Sequence, residues 1–102
     1  MCRLSTVRSA DRIVVPGSCL SVAPNQVDLV DAAAIPLAAL TSLQSLRDHG
    51  ALQPGQRILV NGASGGVGTF AVQLGRVMGA QVVGTCSEQN SDFVQSLGAC
   101  DV

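Results

Sequence analysis

The sequence predicts an α/β fold in which short parallel strands alternate with helices. Three observations predict it: a predicted strand at 57–60 that is continuously apolar after Arg57, a glycine-rich segment directly after it, and a helical apolar pattern that ends before a second predicted strand at 81–85. A continuous apolar run is typical of a parallel strand covered on both faces. The order strand, glycine turn, helix, strand, helix therefore predicts a βαβα unit with a right-handed crossover.

Composition indicates that this unit is not complete by itself. Of the 102 residues, 47% are hydrophobic and 13% are charged. A free-standing domain of this length normally has about a quarter of its residues charged, because its surface is large relative to its volume. Two parallel strands also cannot cover their own edges and faces. We therefore expect a piece of a longer protein that is poorly stable alone.

Charge and hydropathy limit the kinds of molecule that this chain is expected to bind. The formal net charge is −1, and the six basic residues are all arginines without a cluster. Binding to nucleic acid or to anionic lipid needs several cations on one face. The longest apolar stretch, 32–40, is interrupted by Pro36 and is shorter than the roughly 20 residues that span a bilayer. The sequence therefore predicts no nucleic-acid partner and no membrane span.

Cysteine and histidine usage predicts no metal site. The four cysteines form no Cys-x-x-Cys pair and His49 is the one histidine, so no zinc is expected. Reduced thiols in an intracellular protein are favoured, with the cytoplasm as first location. Residues 1–9 carry arginine, serine and threonine but no acid, a composition typical of organelle transit peptides. A mitochondrion or a plastid is therefore the alternative location.

The first half of the chain predicts extended segments followed by two helices. Residues 12–15 and 19–22 are predicted to be extended around a turn. Asp31 is the predicted N-cap of a short helix, and a second helix is predicted to begin near Pro36, because proline is tolerated in a first turn. This second helix is predicted to end at Gly50, a typical C′ residue. Its helically spaced leucines predict a core face: Leu37, Leu40, Leu43 and Leu46.

The second half predicts the βαβα unit itself. The helix after the glycine turn is predicted to run to Met78 and to end at Gly79, and the last helix to begin at Asn90 or Ser91 and to stop at Gly98. Residues 100–102 are interpreted as the start of another strand. The side chains of the first of these helices that are predicted to face the sheet are Val67, Phe70, Ala71, Leu74, Val77 and Met78.

The glycine turn is the strongest candidate for a binding site. Between the strand and the helix stand four glycines: Gly62, Gly65, Gly66 and Gly68. A bound pyrophosphate needs a tight turn, main-chain N–H groups free of side chains, and a closely packed helix, and the last three glycines are predicted to meet these needs in that order. The N–H groups of Gly66, Val67 and Gly68 would meet the phosphates at the positive end of the helix dipole.

There are two alternatives to a dinucleotide site at this turn. A triphosphatase-type phosphate loop is disfavoured, because no lysine precedes Thr69 and the glycine spacing differs. A glycine turn that binds nothing remains the second alternative. Four glycines in seven residues cost conformational entropy that a plain turn would not need, which disfavours it.

The end of the second strand bears on the choice of cofactor. Cys86 and Ser87 lie roughly 20 residues beyond the turn, where an NAD site usually places an acid on the adenosine ribose. The acid nearest this point, Glu88, comes two positions after Cys86. The Ser87 hydroxyl can donate to a 2′-phosphate, although no arginine or lysine follows it. NADP(H) is therefore favoured over NAD(H).

Four blocks of sequence, taken together, resemble the medium-chain dehydrogenases/reductases, in their zinc-independent quinone oxidoreductase branch. The blocks are DAAAIPLAALTS at 31–42, LQPG at 52–55, NGASGGVG at 61–68 and SLGA at 96–99. The resemblance implies the end of a GroES-like catalytic domain at 1–27, connecting helices at 28–50, and the start of a Rossmann NAD(P)-binding domain at 51–102.

The resemblance also implies roles for single residues. Thr41 is expected close to the nicotinamide and Ser87 at the adenosine ribose; for Thr41 the alternative is a helix hydroxyl that bonds its own backbone. Expected at the pyrophosphate are Ser64, Gly65, Gly66, Val67 and Gly68. The parent is expected to be an NADPH-dependent oxidoreductase that reduces a quinone, an enone or a carbonyl compound. A homodimer is the expected form of the parent. No catalytic residue is assigned, and a truncated or isolated nucleotide-binding piece without activity is the alternative.

Overall fold

Two parallel strands and four helices follow one another along the chain in a computed structural model that describes Arg12 and residues 14–102. The elements are α1 Leu29–Ala32, α2 Ile35–Gln44, β1 Arg57–Asn61, α3 Gly66–Val77, β2 Gln81–Thr85 and α4 Ser91–Ser96, with short 3-10 helices at Gly17–Cys19 and Glu88–Asn90. β1 and β2 pair in parallel, from Arg57 opposite Gln81 to Asn61 opposite Thr85. The predicted α/β class and the βαβα order are confirmed.

The core lies on one face of the β1–β2 pair. Its fully or nearly fully buried hydrophobic residues are Val60, Ala63, Val72, Val82 and Val94, which come from both strands, the glycine turn, α3 and α4. Leu59, between two inward-facing residues of β1, is 68% exposed. One face of β1 is therefore uncovered in the part of the chain that the structure describes, as expected of two strands that cannot cover their own faces.

Helix α3 packs on the sheet through small residues. A Cβ atom at Gly75 would lie 2.8 Å from Ile58 Cδ1 and 2.9 Å from Val82 Cγ2. Val72 is fully buried, whereas Val77 is 83% exposed. The face of α3 that contacts the sheet is therefore rotated from the predicted one, because it runs through Gly68, Val72 and Gly75. The prediction missed this face because glycine gives no hydrophobic signal in a sequence pattern.

The two N-terminal helices differ from the prediction at their ends. The N-cap of α1 is Asp28, with Asp31 in the first turn, and Pro36 is the second residue of α2, close to its predicted place. After α2 the chain continues as a wider, π-helical turn at Ser45–His49. Because this turn is wider, the residue with left-handed backbone lies one position later than predicted. Gly50 has a helical φ, and Ala51 has the left-handed φ of 47°. The prediction of Gly50 as a left-handed C′ residue is therefore wrong.

The leucine face of α2 is only partly covered. Leu37 is 83% exposed and Leu40 is 51% exposed, while Leu43 and Leu46 are half-buried. The predicted core face is therefore wrong for the first two leucines among the described residues. The helical run Leu29–His49 is, by length and composition alone, long and apolar enough to cross a membrane. A core helix of a soluble protein passes the same test, so this run is weak evidence for a span.

The remaining predictions concern the two ends of the chain. Residues 14–28 contain the 3-10 helix Gly17–Cys19 and no strand. Residues 1–9, for which a transit peptide was the alternative interpretation, lie outside the described residues, as does part of the 12–15 segment. Val83 forms a parallel bridge with Asp101, which confirms a third strand position beside β2. Cys86 and Cys100 are free thiols, whereas Cys19 is disulfide-bonded, so the prediction of reduced cysteines is wrong at Cys19.

Candidate dinucleotide-binding site

The glycine turn joins the C-terminal end of β1 to the first residue of α3. Gly62 has a φ of +71°, a conformation that favours glycine, and its carbonyl accepts a hydrogen bond of 3.0 Å from the Gly65 N–H. Gly65, the N-cap of α3, is extended with φ −76° and ψ 173°. The tight turn is therefore made by Gly62, and the prediction that Gly65 makes it is wrong.

Gly66 and Gly68 stand in opposite surroundings. A Cβ atom at Gly66 would have nothing within 4 Å, so this face of the turn is open. A Cβ atom at Gly68 would lie 2.2 Å from the Gly62 carbonyl oxygen and 2.9 Å from Ala63 Cα. Gly68 therefore allows α3 to approach the turn closely, as predicted, while Gly66 leaves room for a group outside the chain.

The first turn of α3 presents main-chain donors at this open face. The Thr69 N–H makes the first i to i−4 bond of the helix, to the Gly65 carbonyl at 2.9 Å, so the N–H groups of Gly66, Val67 and Gly68 precede the helical ladder. No side chain caps this end of α3. Such an end carries roughly half a positive elementary charge, and segment 61–69 contains no charged side chain. The turn is therefore suited to an anionic ligand held by backbone groups.

Helix α2 is tied to this first turn by a buried serine. Ser42 is 1% exposed, and its Oγ donates a hydrogen bond of 2.7 Å to the Val67 carbonyl. The preceding Thr41 is exposed and donates to the Leu37 carbonyl at 2.6 Å, which is the bond to its own helix that was the alternative for it. Sequence reasoning missed Ser42, because its partner is 25 residues away in the chain and no local pattern marks that contact.

A second polar group lies beyond the end of β2. Ser87, Glu88 and Gln89 line an open cavity of about 440 Å³. The Asn90 side-chain amide donates a hydrogen bond of 2.9 Å to Ser87 Oγ. Because that bond uses a lone pair of Ser87, the hydroxyl hydrogen of Ser87 stays available to donate to a ligand. Glu88 lines the same cavity as Ser87.

Charged groups play little part at the turn. Among the described residues, an ion pair joins Arg47 Nε to Asp48 Oδ1 at 2.9 Å. Both side chains are exposed and follow α2 in the chain. The hydrogen bond from Arg47 lowers the pKa of Asp48 below its ordinary value. The same part of the chain holds no group of three histidine, cysteine or acidic side chains placed to bind a metal ion.

Known proteins with similar sequences include several named as oxidoreductases. No protein-family model matches the chain. The chain is 46% identical over 84 residues to a chloroplast envelope quinone oxidoreductase homolog of Arabidopsis thaliana, which covers 78% of this chain and 26% of that protein. It is 40% identical over 94 residues to a mitochondrial NAD(P)H oxidoreductase of Homo sapiens, covering 88% of this chain and 24% of that protein. A mitochondrial protein of Arthroderma benhamiae named as a probable zinc-binding oxidoreductase is 37% identical over 112 aligned positions, covering 98% and 34%.

Solved structures with the same fold carry related names. The quinone oxidoreductase of Thermus thermophilus, solved alone and with NADPH, superposes with a TM-score of 0.81 at 32% identity, covering 90% of this chain and 31% of that one. The CurK enoyl reductase superposes with a TM-score of 0.73 at 41% identity, covering 76% and 24%. This chain spans about a quarter to a third of the length of these proteins.

Proposed function

We propose that this chain, which belongs to the medium-chain dehydrogenase/reductase superfamily in its quinone oxidoreductase-like branch, carries the pyrophosphate-binding part of an NAD(P)H-dependent oxidoreductase. One observation supports this above all: the open position at Gly66 lies beside the three unpaired N–H groups of α3, while Gly68 holds the helix against the turn. The proposed organisation is a catalytic-domain end at 1–27, connecting helices at 28–50 and the nucleotide-binding part at 51–102.

The residues of the turn fit a dinucleotide. We assign the N–H groups of Gly66, Val67 and Gly68 to the pyrophosphate, with Ser64 and Gly65 beside it. The exposed Thr41 retains the acceptor lone pairs of its hydroxyl, which suits a carboxamide N–H of the nicotinamide. When bound, the cofactor supplies the hydride, and this chain contributes binding and orientation.

We further propose that the cofactor is NADP(H). The Ser87 hydroxyl, oriented by Asn90, is placed to donate to a 2′-phosphate at the end of β2. The Glu88 carboxylate on the same cavity opposes a 2′-phosphate by charge repulsion, so the preference over NAD(H) is modest. Titration of the chain with NADPH and with NADH tests this choice: tighter binding of NADPH supports it, and tighter binding of NADH contradicts it.

Properties of the whole protein are part of the proposal. The substrate is proposed to be a small quinone, enone or carbonyl compound, and the parent to be a zinc-free homodimer in the cytoplasm, with an organelle as the other location. Relatives named above come from a mitochondrion and a chloroplast envelope, and one is named as zinc-binding. Metal analysis, sedimentation and subcellular fractionation of the parent protein test these three points separately.

The second candidate function is nucleotide binding without catalysis. It is favoured by the absence of tyrosine from the sequence and by the position of His49 at the end of the helical run rather than at the turn. Oxidation of NADPH by a benzoquinone, followed at the nicotinamide absorbance band, distinguishes the two. We expect the 102-residue chain to bind NADPH without accelerating its oxidation. Turnover by this chain alone would show that the substrate groups lie within it.

A further inference from the structure

We propose that Thr85 is a positioning residue that fixes the conformation of the glycine turn and thereby the affinity of the site for the cofactor; this inference rests on the proposed function. Thr85 is the last residue of β2 and is paired with Asn61, the last residue of β1. It therefore stands beside the point where the chain leaves the sheet to form the turn.

Three hydrogen bonds connect Thr85 to the entry of the turn. Its Oγ1 donates to Asn61 Oδ1 at 2.6 Å and accepts from the Gly62 N–H at 3.2 Å. Its main-chain carbonyl accepts from the Ala63 N–H at 2.8 Å. Side chain and backbone of Thr85 together hold three consecutive residues of the turn, although more than 20 positions separate them in sequence. A hydroxyl can donate once and accept at the same time, and Thr85 uses both capacities here.

Gly62 transmits this restraint to the donors of α3. Its carbonyl oxygen accepts from the Gly65 N–H and lies where a Cβ atom at Gly68 would clash. The Gly62 carbonyl belongs to the peptide unit shared with the Ala63 N–H, which the Thr85 main-chain carbonyl holds, and this unit sets both the N-cap of α3 and the closest approach of that helix. The Thr85 hydroxyl holds the preceding unit at the Gly62 N–H. Loss of the hydroxyl therefore frees the φ of Gly62, about which the next unit and its carbonyl turn.

Replacement by valine isolates the hydroxyl. Thr85→Val keeps the β-branched shape that suits a strand and removes the donor and acceptor. Thr85→Ser keeps the hydroxyl and removes the methyl group. The valine variant loses two hydrogen bonds, but water can reach this exposed position and replace part of their contribution, so we expect it to bind NADPH about tenfold more weakly. The serine variant is expected to bind within about threefold of the unsubstituted chain.

The test is NADPH titration of the isotope-labelled 102-residue chain and its variants at about 10 °C, near the temperature of maximum stability of most domains, with amide hydrogen exchange on the same samples. In Thr85→Val, exchange of the Gly62 amide should rise about tenfold, and exchange of the Ala80 amide, which donates to Gly75, should not change. Ser96→Ala, which removes another exposed hydroxyl bonded to a carbonyl, should alter neither readout. In Thr85→Ser, both the NADPH affinity and the exchange rate of the Gly62 amide should return close to the values of the unsubstituted chain.

Failure of the inference and failure of the proposed function give different results. If the unsubstituted chain binds NADPH and Thr85→Val binds it equally well with unchanged Gly62 exchange, the role of Thr85 is overturned and the proposed function stands. If the folded unsubstituted chain does not bind NADPH, the proposed function is overturned, and this inference with it. A rise in Ala80 exchange equal to that of Gly62 would assign Thr85 to general stability and also overturn the inference.

Discussion

Alanine at Gly66 and alanine at Gly68 should affect this chain in opposite ways, although both replace a glycine in the first turn of α3. At Gly66 the added methyl group meets open space. Alanine also favours a helix over glycine by up to about 1 kcal/mol. We therefore expect Gly66→Ala to keep or raise the free energy of unfolding. The methyl group would nonetheless occupy the space in which the N–H groups meet the pyrophosphate, so NADPH binding should weaken at least tenfold, which is about 1.4 kcal/mol.

At Gly68 the added methyl group meets backbone. The Gly62 oxygen at 2.2 Å and Ala63 Cα at 2.9 Å belong to the turn itself, so relief requires α3 to move away by at least about 0.8 Å to reach a 3.0 Å contact. Overpacking of this kind typically costs about 1–3 kcal/mol. At about 4–8 °C per kcal/mol for a small domain, the melting temperature of Gly68→Ala should fall by roughly 5–20 °C.

Thermal melts by circular dichroism and NADPH titration at low temperature measure the two effects. Gly17→Ala is the control, because a methyl group there also meets open space and lies in a 3-10 helix outside the turn. An unchanged melting temperature for Gly68→Ala would refute the close approach of α3. Unchanged NADPH affinity for Gly66→Ala would refute the placement of the ligand, even if the stability prediction holds.

Three further substitutions follow from single contacts. Ser42→Ala should lower the free energy of unfolding by about 1 kcal/mol by removing the bond to Val67, measured by urea denaturation; an unchanged midpoint would contradict that bond's contribution. Ala51→Gly should raise the same quantity by about 0.5 kcal/mol, since relief of a left-handed φ exceeds the entropy cost of glycine; lower stability would show that Ala51 is unstrained. Glu88→Gln should tighten NADPH binding about threefold relative to NADH at low salt, and the gain should disappear as salt screens the charge. Equal tightening of both cofactors would place Glu88 away from the 2′-position.

The order of elements could be predicted because strong local signals separate them. Gly79 and Gly98 have positive φ at the ends of α3 and α4, and β2 has the predicted bounds. β1 extends one residue further than predicted, to Asn61. These signals act within a few residues, so sequence alone carries them.

The faces of the helices could not be predicted in the same way. Helix α3 is apolar around much of its circumference, so periodicity does not select the stripe through Val72, and the contact at Gly75 is made by a residue without a side chain. The links from Ser42 to Val67 and from Thr85 to Gly62 join residues more than 20 positions apart. Such contacts depend on how elements pack, which local pattern does not encode.

Amide chemical shifts during a titration test the central claim most directly, which is that the start of α3 holds the pyrophosphate of a nicotinamide dinucleotide. With increasing NADPH, we expect the largest saturating shifts at the amides of Gly66, Val67 and Gly68, and we expect inorganic pyrophosphate alone to shift the same three amides. The amides of Ala80 and Gly84, which donate to Gly75 and Asp101, report that the chain is folded. A folded chain whose Gly66, Val67 and Gly68 amides do not respond to NADPH would contradict the claim.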